Sequence, residues 1–246
     1  MSENAPGAPA PKIDAPKIDV VSTTSAREMA AIAARGQDPV LQVGSRVDVV
    51  DRSETRWRNR LAGRDFTGLD IADGDGVDVV GDLCWPFERL DAAVSGRRFG
   101  LILCQHVLEH VRRPFEAAEN VTRLLAPGGT LYVAVPWVQA FHGYPNDYWR
   151  FSFHGLLELF PDLTPVDMYY SATGSGLDAA YKITVDGGID LARTPFEIEG
   201  RLFETVFEQD ANLAMLRGQP QQPKLPIARR YLPALFVNAV FERPGG

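Results

Sequence analysis

The alternation of short apolar runs with amphipathic stretches predicts an α/β chain, doubly wound around a mostly parallel sheet. Three observations carry that expectation. Five runs of four to six residues fall between residues 40 and 135, and each closes on Gly, Asp, Gln or Pro. Such runs suit strands buried on both faces, with functional groups at their carboxyl ends. An amphipathic stretch beginning at Pro114 separates the fourth run from the fifth, and Pro127-Gly128-Gly129 turns the chain back between them. Strand, helix and strand in succession require right-handed crossovers between parallel strands.

Taken in order, residues 1–20 hold four prolines and the repeat Ala-Pro-Lys-Ile-Asp at 10–14 and 15–19. Two copies of five residues bury no face, so residues 1–24 are expected as an extended, disordered tail. Ser25-Ala-Arg-Glu28 has the form of a capping box. Met29, Ile32 and Ala33 then make an apolar stripe that Gly36 closes, which predicts a helix. Val40–Val43, Phe66–Ile71 and Val77–Val80 are the first three expected strands. Between the first two, Arg52, Arg56, Arg60 and Arg64 recur every fourth residue around Trp57 and Leu61, a basic helical stripe read as a solvated face. Phe99–Cys104 is the fourth strand. Pro114–Ala126 is a helix with its proline in the first turn and Ala118, Val121 and Leu125 facing one way. Thr130–Val135 is the fifth strand. Beyond it, Ser152–Phe160 reads as a helix, Val166–Tyr170 as a strand, Phe196–Leu216 as a helix, Arg217–Pro233 as a loop and Ala234–Phe241 as a last strand. One domain, 25–246, is expected, with an insertion at about 174–233 and an antiparallel C-terminal strand at the sheet edge.

Composition narrows the function. At 246 residues, 45% hydrophobic and 23% charged, the chain is that of a folded globular domain rather than a disordered one. A net charge of −7 disfavours general binding to nucleic acid or anionic membranes. Cys84 and Cys104 alone make neither a disulfide framework nor a cysteine-rich zinc module, and they fit a reducing compartment. No apolar run approaches the roughly 18–20 residues that span a bilayer, and no secretory leader is visible, so a cytoplasmic protein is expected.

The strand ends carry the chemistry. Gly44 follows the first expected strand, Asp70 closes the second and Asp82 follows the third. Glycine at the first turn lets a ligand approach the backbone, an acid at the second strand end accepts the hydroxyls of a ribose, and an aspartate after the third accepts an exocyclic adenine amine. This describes an adenosine site. Gly-x-Gly-x-x-Gly is absent, which disfavours a dinucleotide, and so is the lysine-bearing phosphate loop. The remaining common adenosyl ligand is S-adenosyl-L-methionine, which has no phosphate.

Five segments in order extend this reading: Val40-Leu-Gln-Val-Gly44-Ser45, Gly68-Leu-Asp70-Ile, Gly81-Asp82, Val107-Leu-Glu109-His110-Val and Leu124-Leu-Ala-Pro127-Gly128-Gly129. Over about residues 38–170 they resemble the ordered motifs of the class I S-adenosylmethionine-dependent methyltransferases. The resemblance implies a seven-stranded, Rossmann-like sheet and the cofactor S-adenosyl-L-methionine. By position it implies that Gly44 and Ser45 contact the methionine part and Asp70, with Ile71 beside it, the ribose. It places Asp82 and Leu83 at the adenine, and Gln105 and His106 along the cofactor. Gln42 stands where the family has an acid, and Arg46 where it has a further glycine. These departures leave a second reading, a methyltransferase-like fold that binds without turnover.

The segment His142-Gly-Tyr144-Pro-Asn-Asp147-Tyr148-Trp149-Arg150-Phe151 is similar to a subset of these enzymes that modify glycans or small metabolites. It implies O-methylation of a small molecule or a glycan or lipid-linked precursor. His142 is the expected base, Asp147 the second choice, and Tyr144, Tyr148, Trp149 and Arg150 are expected at the acceptor. Phe141, Tyr144, Tyr148, Trp149, Phe151 and Phe153 are read equally as site and as core, and Asp147 equally as the partner of Arg150 in a turn. His106-Val-Leu-Glu109-His110 matches an inverted zinc-protease signature. It directly follows a buried strand and Pro114 leaves at most two turns of helix, so no metal is expected there, and His110 is read as packing under the next helix. Asp70, Asp73, Asp75 and Asp78 lack the calcium-loop spacing, and Asp73 and Asp75 are read as turn residues beside glycines.

Overall fold

The computed structural model describes residues 19–23, 25–47, 57–143, 145–174, 177–184 and 234–246. In chain order the elements are β1 (Asp19–Thr23), α1 (Ser25–Arg35), β2 (Val40–Val43), α2 (Trp57–Arg60), β3 (Phe66–Asp70), β4 (Val79–Val80), α3 (Phe87–Ala93), β5 (Phe99–Gln105), α4 (Pro114–Leu124), β6 (Leu125–Val138), α5 (Phe153–Leu159), β7 (Thr164–Gly174), β8 (Leu177–Thr184) and β9 (Ala234–Glu242). A 3₁₀ turn at Leu108–His110 lies between β5 and α4. The strands form one sheet in the order β1-β8-β7-β9-β6-β5-β2-β3-β4.

Period-two alternation explains why helices cover both faces. In β2, Leu41 and Val43 join one core while Val40 joins the other; in β5, Ile102 and Cys104 oppose Leu101 and Leu103. The first core takes Phe87 and Leu90 of α3, Ala117, Ala118, Val121 and Leu124 of α4, and Leu156 and Leu159 of α5. The second takes Ile32 of α1 and Trp57 of α2. The chain runs outward from β2 through β3 to β4, then crosses to β5 and β6 on the other flank of β2, all in parallel pairs. The winding therefore reverses between β2 and β5, where doubly wound sheets place their ligands. The doubly wound, seven-stranded methyltransferase-type sheet is thus present as β2–β7 and β9, with β8 and β1 added beyond β7.

Local devices set the helices. Pro114 occupies the first turn of α4. Ser152 Oγ accepts from Gly155 N at 3.1 Å to cap α5. Arg64, at the end of the expected basic stripe, donates to the carbonyls of Ala33 (3.3 Å) and Gly36 (2.9 Å) and pairs with Asp38, so its charge meets the carboxyl end of α1. Arg58, beside the stripe, pairs with Asp78, while Arg60 is exposed; Arg52 and Arg56 lie outside the described residues.

The structure corrects several sequence expectations. The C-terminal strand β9 is antiparallel as anticipated, but it lies between β6 and β7 rather than at the edge. Its residues Leu235–Phe241 are all buried, and a strand covered on both faces needs neighbours on both sides. β1 falls within the expected tail and β8 within the expected insertion; β8 pairs with β7 and β1 pairs with β8, long-range contacts that local composition does not reveal. α3 was not anticipated, although Phe87, Leu90 and Val94 carry its apolar face. α4 stops at Leu124 because Leu125 already pairs with Phe99 of β5, and the Pro-Gly-Gly turn becomes an irregularity at the start of β6. The expected helix at 196–216 and loop at 217–233 lie outside the described residues. Among the described residues no helix is long and apolar enough to cross a membrane.

Candidate active site

The first turn is built around Gly44, which takes φ +70°. A Cβ there would meet Val107 Cγ2 at 2.5 Å, so the turn and the segment after β5 approach too closely for any side chain. Gly44 N donates to Leu69 O at 2.9 Å, and Arg46 N donates to Asp70 Oδ2 at 3.1 Å. Asp70 Oδ1 accepts from Ala72 N at 3.2 Å. The carboxylate thus orders two loops while keeping lone pairs for further donors. Asp82 lies one strand over: Gly81 N donates to Asp70 O at 2.8 Å, and Asp82 Oδ1 accepts from Cys84 N at 2.8 Å. Asn120 of α4 fixes this loop by donating to Leu83 O (2.7 Å) and Trp85 O (2.8 Å). Ile71, which follows Asp70, and Val80, which pairs with Asp70 in register, are both exposed.

Other anticipated residues fall differently. The Leu83 side chain is buried in the core, leaving only its backbone to face a ligand. Gln105 accepts from Trp57 Nε1 and donates to Tyr132 Oη at 3.5 Å, so its carboxamide belongs to a structural network. The buried Ser45 hydroxyl has no hydrogen-bond partner among the described residues. It lines a cavity of about 230 Å³ with Gln42, Val47, Arg58, Asn59, Asp75 and Gly76. Asp70, Asp82 and His106 are not part of that lining; the two acids stand at the ends of the neighbouring strands β3 and β4.

Past β5, His106 takes φ +53°, a left-handed conformation rare for a side chain of its size. Its ring packs edge-on to Phe236, centroids 4.5 Å apart. Burial, with His142 and His110 nearby, pushes its pKa down to about 4, so the imidazole is neutral. Glu109 is fully buried, and neither carboxylate oxygen has a hydrogen-bond partner among the described residues. Its Oε1 stands 3.8 Å from both His106 Nδ1 and His110 Nε2. Burial pushes the Glu109 carboxyl up to about 8. The 3₁₀ geometry of Leu108–His110 removes the long helix that an inverted zinc-protease signature requires.

The aromatic segment folds onto this turn. Tyr148 N and Trp149 N donate to Glu109 O at 2.8 and 3.2 Å, and Trp149 Nε1 donates to Val111 O at 2.8 Å. Asp147 accepts from Arg150 through both oxygens (2.5 and 2.7 Å) and from His142 N (3.0 Å). The Arg150 hydrogen bonds hold the Asp147 carboxyl down at about 2, which makes it a clamp and a poor base. Arg150 also donates to Gln139 O and is committed to that clamp. His142 and His110 meet edge to face with centroids 5.0 Å apart. Phe141, Tyr148 and Trp149 are exposed, whereas Phe151 and Phe153 are buried, so the aromatic run divides between surface and core. Tyr144 lies outside the described residues. Glu109, which the sequence marks only within the His-x-x-Glu-His match, is brought by the fold beside His106 and His110.

The methyltransferase domain family matches residues 25–164, more than half of the chain. The chain belongs to that family. No curated protein matches the sequence. Among solved structures, this methyltransferase is similar to a Bacillus halodurans protein assigned as a methyltransferase, at 12% identity and TM-score 0.50, covering 89% of this chain and 99% of that one. It is also similar to the N-methyltransferase NodS of Bradyrhizobium japonicum in complex with S-adenosyl-L-homocysteine (15% identity, TM-score 0.45, 64% of this chain and 82% of that one). The first of these shows the shared fold.

S-adenosyl-L-methionine is the methyl donor of this methyltransferase. The residues present fit it: a left-handed glycine at the first turn, exposed apolar side chains at the strand end that carries Asp70, and strand ends at the reversal of the winding.

Proposed function

We propose that this methyltransferase methylates an oxygen of a small molecule or of a glycan or lipid-linked precursor. Asp70 would hold the ribose hydroxyls, Asp82 and the Leu83 backbone the adenine, Gly44 and Ser45 the methionine part, and His106 would flank the cofactor. When bound, S-adenosylmethionine supplies an electrophilic methyl on sulfur: the acceptor oxygen bonds to that carbon as the C–S bond breaks, its electron pair going to sulfur. The chain's own task is to position the acceptor, exclude water and take the hydroxyl proton.

The observation carrying this reading is the union of His142 with the exposed aromatics at the carboxyl ends of β5 and β6. His142 Nδ1 donates to Ala140 O at 3.1 Å, which leaves the proton-accepting lone pair on Nε2. Asp147 and Arg150 hold its backbone in place, so they position the base rather than act as it. Phe141, Tyr148 and Trp149 offer exposed ring faces to an acceptor with an apolar side.

Labelled-methyl transfer into nucleotide sugars, lipid-linked saccharides, small alcohols and amines, with the methyl located by mass spectrometry, tests it. Methyl on oxygen, with kcat falling on the order of 10²–10⁴-fold in His142→Ala and S-adenosylhomocysteine affinity unchanged, is the expected result. Methyl on nitrogen, or undiminished turnover in that variant, overturns it.

A further inference from the structure

We propose that Glu109, His110 and His142 form a binding site for a divalent transition-metal ion of the zinc class. One ligand atom from each residue lies within 4.8 Å of the other two. Ligands about 2.0–2.2 Å from a shared ion stand roughly 3–4 Å apart, so side-chain adjustments below about 1 Å would close the site.

Glu109 supplies the second, independent reason. A carboxyl group removed from water requires a polar partner in either protonation state, and this one is fully buried with both oxygens unpaired among the described residues. The imidazoles of His106 and His110 stand at 3.8 Å, beyond hydrogen-bond reach. The guanidinium of Arg150 is engaged by Asp147 and the Gln139 carbonyl. A cation bridging Glu109 to the two histidines answers that need.

The surroundings of the histidines match. A backbone carbonyl only accepts, so His110 Nδ1 donates to Asn146 O at 2.5 Å and His142 Nδ1 donates to Ala140 O at 3.1 Å. Both rings therefore carry the ligating lone pair on Nε2, oriented by a carbonyl on the far nitrogen, as metal-bound histidines are. The scaffold is firm. Glu109 and His110 share the turn after β5, His142 follows the neighbouring strand β6, and Tyr148 N and Trp149 N bind the two segments together through Glu109 O. Two imidazoles and one carboxylate favour Zn²⁺, Co²⁺ or Fe²⁺ over Mg²⁺ or Ca²⁺ and leave a coordination position open.

The use of that open position rests on the O-methylation reading: an acceptor hydroxyl bound there becomes more acidic. In the metal-free protein His142 is the base; with the ion bound its Nε2 is a ligand and the proton passes to solvent.

The test uses the full chain stripped with a chelator, then titrated with ZnCl₂, CoCl₂ and MgCl₂ by calorimetry, and with Co²⁺ by visible absorption. One equivalent of Zn²⁺ or Co²⁺, a ligand-field spectrum and no comparable Mg²⁺ binding are expected. Glu109→Gln and His142→Gln should each weaken Zn²⁺ binding on the order of 100-fold or more, with melting temperature and S-adenosylhomocysteine affinity as controls for folding. Absence of stoichiometric binding, or equal binding by folded Glu109→Gln and His142→Gln, overturns the site. Failure of the methyl-transfer reading looks different: metal binds as expected, yet no oxygen acceptor is methylated with or without it.

Discussion

Replacing Gly44 by alanine tests how the first turn is built. Two penalties act together. A left-handed backbone at φ +70° disfavours an L side chain by about 1–2 kcal/mol. The new Cβ meets Val107 Cγ2 at 2.5 Å, and overpacking of that kind costs about 1–3 kcal/mol. A total near 3 kcal/mol corresponds to a melting temperature lower by about 6–12 °C for a chain of this size. The two parts separate in a double-mutant cycle. Val107→Ala removes the methyl in the way but leaves the backbone strain, so Gly44→Ala should be less damaging in that background by about 1–2 kcal/mol. Thermal unfolding followed by circular dichroism reads the stability, and calorimetry with S-adenosylhomocysteine reads the turn's competence. An alanine variant melting within 2 °C of the parent, about 1 kcal/mol or less, would refute the reasoning, as would the absence of coupling to Val107.

Two further predictions concern the aromatic segment and the thiols. Arg150→Ala should lower stability by about 1–2 kcal/mol, the value of a charge-assisted clamp after allowance for solvent at Arg150. Because Arg150 holds the Asp147 carboxyl down from 3.8 to about 2, that contribution is complete above pH 3.8 and is lost as pH falls through about 2. The metal-free variant should therefore show a flatter stability curve over that acid window, and identical curves would dismiss the clamp. Burial raises the pKa of both Cys84 and Cys104, but only Cys104 is fully enclosed. A disulfide reagent should label Cys84 slowly in the native chain and Cys104 only after denaturant is added; two native equivalents would show a looser core than described.

The strands legible in the sequence are those whose composition is explained by burial on both faces. β2, β3 and β5 follow the apolar runs closely, and Asp70 and Asp82 fall at adjacent strand ends as their spacing suggests. Partners are harder to read than strands. β9 carries an obviously apolar run, yet its place between β6 and β7 depends on the whole sheet, and β1 and β8 exist as strands through pairing with one another and with β7. In the site, side-chain identity pointed to groups whose direction only the fold determines. Gln105 turns to Trp57 and Tyr132, Leu83 turns into the core, and Arg150 turns to Asp147. Glu109 was visible in a motif, but its burial beside His106 and His110 comes from a 3₁₀ turn and from the distant segment of Tyr148 and Trp149 folding over it.

The central claim is that the carboxyl ends of β3 and β4 hold the adenosyl part of the methyl donor through Asp70 and Asp82. Calorimetry of the full chain with S-adenosylhomocysteine, repeated on Asp70→Ala and Asp82→Ala, measures this directly. The account predicts one site, weakened roughly 10–100-fold in each variant, the loss of a hydrogen bond to a charged group, with each variant still folded. No binding at millimolar concentration, or variants that bind as tightly as the parent, would contradict it.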